Sequence, residues 1–206
     1  MLKKWLIGAG KMEIKVGVLA LQGGVSEHLN HLNQIENVRA VAVKKPEELD
    51  SCSGLIIPGG ESTTIRKLIK DYNFKVAIKD FSQQQKVIWG SCAGLILLAA
   101  EVEGENDEQL GLLDIKVKRN AFGSQLNSFI EKAVIPKVSE SPQELVFIRA
   151  PLITEVGKDI EILYQRKDQI AAVESKNMIA TAFHPELTES AVFHQYFVDK
   201  VRKSNN

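Results

Sequence analysis

Hydrophobic positions fall into two regimes along this chain. In the first half, short apolar runs alternate with segments of helical period. Residues 14–21 form an apolar run broken by Gly17, the mark of a strand covered on both faces. Gln22-Gly23-Gly24 turns the chain, and Val25, Leu29, Leu32 and Ile35 then recur at helical spacing. Residues 38–43 and 55–57 give two more strands, the second stopped by Pro58-Gly59-Gly60. Ser62 or Thr63 is placed to cap a helix striped by Ile65, Leu68 and Ile69. A fourth strand at 87–89 is stopped by Gly90, and another helix begins within 94–100. This rhythm predicts a parallel sheet with helices on both faces.

In the second half, runs at 112–117, 145–148, 160–164, 169–173 and 178–183 read as successive strands joined by short turns. They predict an antiparallel extension, so the sheet is expected to be mixed and mainly parallel. An amphipathic helix carrying Val192, Phe193, Tyr196, Phe197 and Val201 closes the chain. No repeat, linker or low-complexity segment interrupts 12–206, which reads as one domain. Residues 1–11 read as a poorly ordered leader: Lys3 and Lys4 precede an apolar stretch shorter than the roughly 7–15 residues of a secretory h-region.

Composition narrows the function. The 206 residues hold 26 Lys+Arg against 26 Asp+Glu, and with no basic block this balance argues against a nucleic-acid partner. The apolar run at 93–100 falls far below the ~18 residues of a membrane span. Two cysteines without a secretory signal suit a reducing, cytoplasmic setting.

Gly90-Ser91-Cys92-Ala93-Gly94 takes a strand straight into a helix with a nucleophile at the turn. Small flanking residues let such a group protrude, as in the nucleophile elbow of hydrolases, and a helix N-terminus favours thiolate. A small buried cysteine is the alternative. Phe183-His184-Pro185-Glu186 supplies a base and its orienting carboxylate: Pro185 is expected to keep His184 extended, placing His184 and Glu186 on one face. The glycines of Pro58-Gly59-Gly60-Glu61-Ser62 end a strand at the same sheet edge, where backbone N–H groups can meet an oxyanion. A phosphate loop is disfavoured because the Gly-Lys-Ser/Thr ending is missing. His28 and His31 lie one helical turn apart but lack a third ligand for a metal. Cys52 reads as structural and His194 as solvated. Arg119 and Arg149, at the ends of apolar strands, suit either a substrate carboxylate or ordinary ion pairs.

Six blocks in order carry a family resemblance: Val18-Leu19-Ala20-Leu21-Gln22-Gly23, Pro58-Gly59-Gly60-Glu61-Ser62-Thr63-Thr64, Gly90-Ser91-Cys92-Ala93-Gly94, Arg119-Asn120-Ala121-Phe122-Gly123, Phe147-Ile148-Arg149-Ala150-Pro151 and Phe183-His184-Pro185-Glu186-Leu187. The chain resembles the glutaminase subunits of pyridoxal 5'-phosphate synthase, a branch of the class I (triad) glutamine amidotransferases. The resemblance implies a flavodoxin-like three-layer α/β/α fold and a triad of Cys92, His184 and Glu186. It implies that Gly60, Glu61, Ser62, Arg119, Ile148 and Arg149 line an L-glutamine site, with the N–H groups of Gly60 and Ala93 stabilising the oxyanion. The implied partner is a barrel-shaped synthase in stacked hexameric rings, which joins the ammonia to a pentose phosphate and a triose phosphate. Neither metal nor organic cofactor is called for. Ser91, Ser124 and Asn127 depart from the family's usual threonine, arginine and aspartate. Rival readings are a glutaminase for another synthase, a cysteine peptidase or esterase, and a non-catalytic binding module.

Overall fold

The computed structural model describes residues 13–121 and 128–204. The expected leader, and the positions Phe122, Gly123, Ser124 and Asn127, lie outside the described residues.

The first half follows the expected alternation: β1 (Ile14–Leu19), α1 (Val25–Leu32), β2 (Val38–Val43), β3 (Gly54–Ile57), α2 (Ser62–Asp71), α3 (Phe74–Gln83), β4 (Val87–Ser91) and α4 (Ala93–Leu98). Then come β5 (Ala99–Val102), β6 (Leu113–Lys118), β7 (Ser128–Ile135), β8 (Ser139–Ile148), β9 (Leu152–Val156), β10 (Glu161–Arg166), β11 (Gln169–Glu174), β12 (Met178–Thr181) and α5 (Val192–Ser204). Among the described residues the main sheet runs β2-β1-β3-β4-β12-β11-β9-β6-β5, with β10 beside β11, while β7 and β8 form a separate hairpin. The side from β2 to β12 is parallel, and β12–β11, β11–β9 and β9–β6 are antiparallel. Helices α1 and α5 pack together on one face, and α2, α3 and α4 on the other. The result is the mixed three-layer α/β fold that the apolar rhythm predicts.

The middle of the sheet is its driest part. Every residue of β3, β4 and β12 is buried, as befits strands covered by helices above and below. Trp89, Phe183 and Phe197 are fully buried around them, each contributing on the order of 1.5–3 kcal/mol by leaving water. Trp89 Nε1 also donates to Thr181 Oγ1 at 3.1 Å, tying β4 to β12 and satisfying a polar group that burial would otherwise strand.

Three local expectations differ. Glu61, not Ser62 or Thr63, caps α2, accepting from the Thr63 and Thr64 amides at 3.2 and 2.7 Å. A carboxylate at that position meets both the free amides and the positive end of the helix. On α1 the fully packed residues are His28, His31 and Leu32, so the buried stripe is rotated from Val25 and Leu29. His194 is not solvated: α5 turns it inward to complete burial.

Candidate active site

β4 and β12 are neighbours in parallel register, with Ser91 opposite Thr181. Each is followed at its carboxyl end by a group of chemical interest. Cys92 comes directly after β4, its amide donating to the Thr181 carbonyl at 2.8 Å. The cysteine has φ 46° and ψ −97°, a conformation that L-residues rarely hold, and α4 begins at once with Ala93. Such strain persists only where the surroundings enforce it, and it clusters at reactive sites. Here the enforcement is close packing. A β-carbon on Gly90 would come within 2.5 Å of the Gly94 carbonyl carbon, and one on Gly94 within 2.1 Å of the Ile57 oxygen. Only hydrogen fits at both places, which is why the turn can be this tight.

His184 follows β12, with its amide anchored on the Val146 carbonyl of β8 at 2.8 Å. Its Nδ1 lies 2.7 Å from Glu186 Oε1. The two side chains meet, but not through the extended chain that Pro185 suggested: Pro185–Leu187 is a short 3-10 turn, with Pro185 at its first position. Proline's fixed φ suits that position as well as it suits extended chain. On its other side His184 interacts electrostatically with Cys92. Burial pulls the imidazole toward neutrality, but the hydrogen bonds and charges of Cys92 and Glu186 outweigh it and raise its pKa to about 10. Burial would lift Glu186, yet the His184 hydrogen bond and the neighbouring His28 and His184 hold its carboxyl below the usual value. Imidazole and carboxylate are thus joined, with the sulfur coupled to them, an arrangement suited to a proton relay, and Cys92 is 8% and His184 9% exposed.

The glycine segment after β3 closes around this relay. Gly59 lies against the His184 ring, and its amide donates to Ser91 Oγ at 2.9 Å. The next peptide is held by Gln22, whose Oε1 accepts from the Glu61 amide at 2.9 Å and stands where a β-carbon on Gly60 would crowd it, at 2.5 Å. Across from it, the Ile148 carbonyl oxygen is 4.0 Å from Cys92 Sγ. Arg149, exposed and at φ 43°, follows directly.

Arg119 joins the same side of the molecule through acids. It donates to Glu105 at 2.7 Å and pairs with Glu61 at 3.4 Å. The Glu61 carboxylate also accepts from the Thr64 hydroxyl at 2.8 Å, and this set of donors, led by Thr64, lowers its pKa to about 2. Ser62 is buried at the first position of α2. Cys52 is free and buried, its thiol 3.4 Å from the Glu48 carbonyl, in keeping with a packing role.

Three contributors escaped the sequence reading: Gln22, the Ser91 hydroxyl and His28. Gln22 and Ser91 sit within conspicuous motifs, yet their partners lie 39 and 32 residues away, so no local pattern announces the bonds. Among the described residues, no group of three or more His, Cys, Asp or Glu is arranged to hold a metal ion, and no helix is long and apolar enough to cross a membrane.

Comparison with known proteins adds independent weight. The SNO glutamine amidotransferase family matches residues 18–203. The pyridoxal 5'-phosphate synthase subunit PdxT of Clostridium botulinum (strain Loch Maree / Type A3) is 49% identical over 191 residues, covering 93% of this chain and 99% of the relative. PdxT of Brevibacillus brevis (strain 47 / JCM 6285 / NBRC 100599) is 50% identical over 190 residues, 92% of this chain and 98% of the relative. A crystal structure described as a glutamine amidotransferase superposes with a TM-score of 0.85 at 39% identity, covering 90% of this chain and 98% of that one.

Proposed function

The chain belongs to the SNO glutamine amidotransferase family, and on that footing we propose that it is the glutaminase subunit of a pyridoxal 5'-phosphate synthase. It hydrolyses L-glutamine to L-glutamate and ammonia and passes the ammonia to the synthase subunit, which builds the cofactor from a pentose phosphate and a triose phosphate. The observation that supports it is the His184 imidazole, hydrogen-bonded to Glu186 at 2.7 Å and electrostatically coupled to Cys92.

The chemistry follows from that arrangement. The proton shared between Cys92 and His184 rests on the imidazole, and the Cys92 sulfur attacks the carboxamide carbon, moving the C=O electron pair onto oxygen. Glu186 keeps the imidazole in the tautomer that accepts at its far nitrogen and supports the cation that forms. The amides of Gly60 and Ala93 are assigned to the oxyanion. Collapse of the tetrahedral adduct breaks the C–N bond as His184 returns its proton to nitrogen, releasing ammonia and leaving a glutamyl thioester. Water, deprotonated by His184, cleaves the thioester to glutamate and restores the thiol. Glu61, Ser62, Arg119, Ile148 and Arg149 are assigned to the glutamine itself, with an arginine on its α-carboxylate.

The reading includes one glutaminase domain over 12–206, supported by the continuous core from Ile14 to Val201. It also includes a cytoplasmic location, where a reducing pool keeps a nucleophilic thiol free. Glutamate release measured with and without the synthase tests it. Release that depends on Cys92 and rises with the synthase is expected; undiminished release from Cys92→Ala would refute it.

A further inference from the structure

Behind the relay stands a buried side chain that this chemistry does not use. His28, on α1, has no exposed surface. Its Nε2 lies 3.1 Å from Ser91 Oγ and 3.6 Å from Glu186 Oε2, while its Nδ1 lies 2.8 Å from His194 Nε2. Among the described residues that Glu186 oxygen is buried with no hydrogen-bond partner, so the His28 ring is the polar group facing it. Ser91 Oγ, the other atom His28 meets, is the acceptor for the Gly59 amide. One ring nitrogen therefore reaches both the carboxylate that orients His184 and the hydroxyl that holds the glycine segment.

The proton's place follows from its neighbours. Burial makes the ring neutral, lowering its pKa to about 4 against the opposing pull of Glu186, so it carries a single N–H. With that hydrogen on Nε2, a donor faces the carboxylate, and Nδ1 accepts from His194 Nε2–H. His194 Nδ1, buried without a partner, is then only a bare lone pair. The other tautomer would let the Ser91 hydroxyl donate to Nε2, but it would set a lone pair against the carboxylate and strand a buried N–H on His194, the latter a cost of roughly 1–3 kcal/mol. The groups facing His28 are Glu186, His184, His31, His194 and Glu27, of which only Glu186 and Glu27 are acidic. Those facing Glu186 are His184 and His28.

We propose that His28 is a positioning residue for glutamine hydrolysis, its Nε2–H joining the Glu186 carboxylate and the Ser91 hydroxyl so that base and glycine segment keep a common geometry. The proposal rests on the glutaminase reading above. It acts through Glu186 and Gly59 and needs no contact with glutamine.

The test compares His28→Asn with His28→Gln, two amides of similar polarity that differ in reach. Glutamine can place an N–H where Nε2 stands; asparagine stops near Nδ1. In the complex with the synthase, His28→Asn is expected to lower kcat about tenfold to 100-fold, as for a buried carboxylate that loses the polar group facing it, with KM within about twofold. The acid limb of its kcat/KM profile moves upward, because a carboxylate deprived of a donor takes a proton more readily. His28→Gln is expected to return both to within about threefold of the parent and to its limb. Equal behaviour of the two variants, or a change in KM alone, overturns the proposal. Nitrogen NMR of the unmutated ring provides a readout independent of variant folding: an Nε2–H neutral tautomer at pH 7 is expected, and an Nδ1–H or protonated ring overturns the proposal. A parent complex that releases no glutamate ends the glutaminase reading and this inference together, whereas an active parent with indistinguishable variants ends this inference alone.

Discussion

Gly59 and His184 are in direct contact: a β-carbon added to Gly59 would lie 2.5 Å from the ring's Cε1 and 2.8 Å from Nδ1. The segment that ends β3 and the imidazole that follows β12 are thus fitted to each other. Gly59→Ala should displace the imidazole by a sizeable fraction of an ångström while leaving the fold intact. An error of about 1 Å in a reacting group costs on the order of 100-fold, so glutamate release should fall by roughly that factor with little change in thermal midpoint. A Gly59→Ala protein with parental kcat/KM would show that the contact has no part in the reaction.

The conformation of Cys92, φ 46° and ψ −97°, predicts an inversion of the usual stability order. Glycine ordinarily destabilises relative to alanine by roughly 0.5–1 kcal/mol, but strain at such a backbone position is on the order of 1–3 kcal/mol and falls on any residue with a β-carbon. Cys92→Gly should therefore melt above Cys92→Ala, by a few degrees in a domain of this size. Both should be inert toward glutamine. Calorimetry of the two proteins decides it.

The charge state of His184 predicts a particular pH window. Its folded pKa, about 10, stands above the ordinary 6.5, so the stabilisation it brings is complete below pH 6.5 and is lost as pH rises through about 10. Removing the thiol as Cys92→Ala, or the carboxylate as Glu186→Gln, should bring the imidazole titration down toward its ordinary value. Ring NMR should show this directly. Urea midpoints between pH 7 and 10 should fall more for the parent than for either variant.

Arg119 is held ready by Glu105 and Glu61 at one edge of the site. If its guanidinium receives the glutamine carboxylate, Arg119→Ala should raise KM about tenfold or more with a smaller effect on kcat, since a charge-assisted bond is worth roughly 1.5–3 kcal/mol. Arg119→Lys should recover little, because a point charge cannot reproduce the forked geometry. Initial rates over a range of glutamine concentrations separate the two constants.

Much of this was legible before any coordinates. Runs such as Leu55-Ile56-Ile57 and Val87-Ile88-Trp89 announce buried parallel strands because both faces of each must be apolar. Cys92 and His184 were visible for a related reason: each sits where such a strand stops abruptly. The half-exposed elements were harder to read. β7 alternates exposed and intermediate residues, with Glu131 and Lys132 side by side, and its pairing with β8 is a tertiary fact rather than a local one. α3 carries Phe74, Ile78 and Phe81 on one side, a pattern too short to stand out between polar neighbours. His28 and His194 were invisible as a pair because 166 residues separate them. The pairing of His184 with Glu186 was anticipated, but by extended chain rather than by the tight turn that achieves it. A spacing of two serves either geometry when the side chains are this close.

The place of β12 has a consequence for when this protein becomes competent. It inserts between β4 and β11, so the sheet around Cys92 is finished only after residues 178–181 have been added. A chain that has not reached β12 has the sulfur of Cys92 but no imidazole of His184 to set beside it. Chains cut short of His184 should therefore leave the cell's free glutamine untouched.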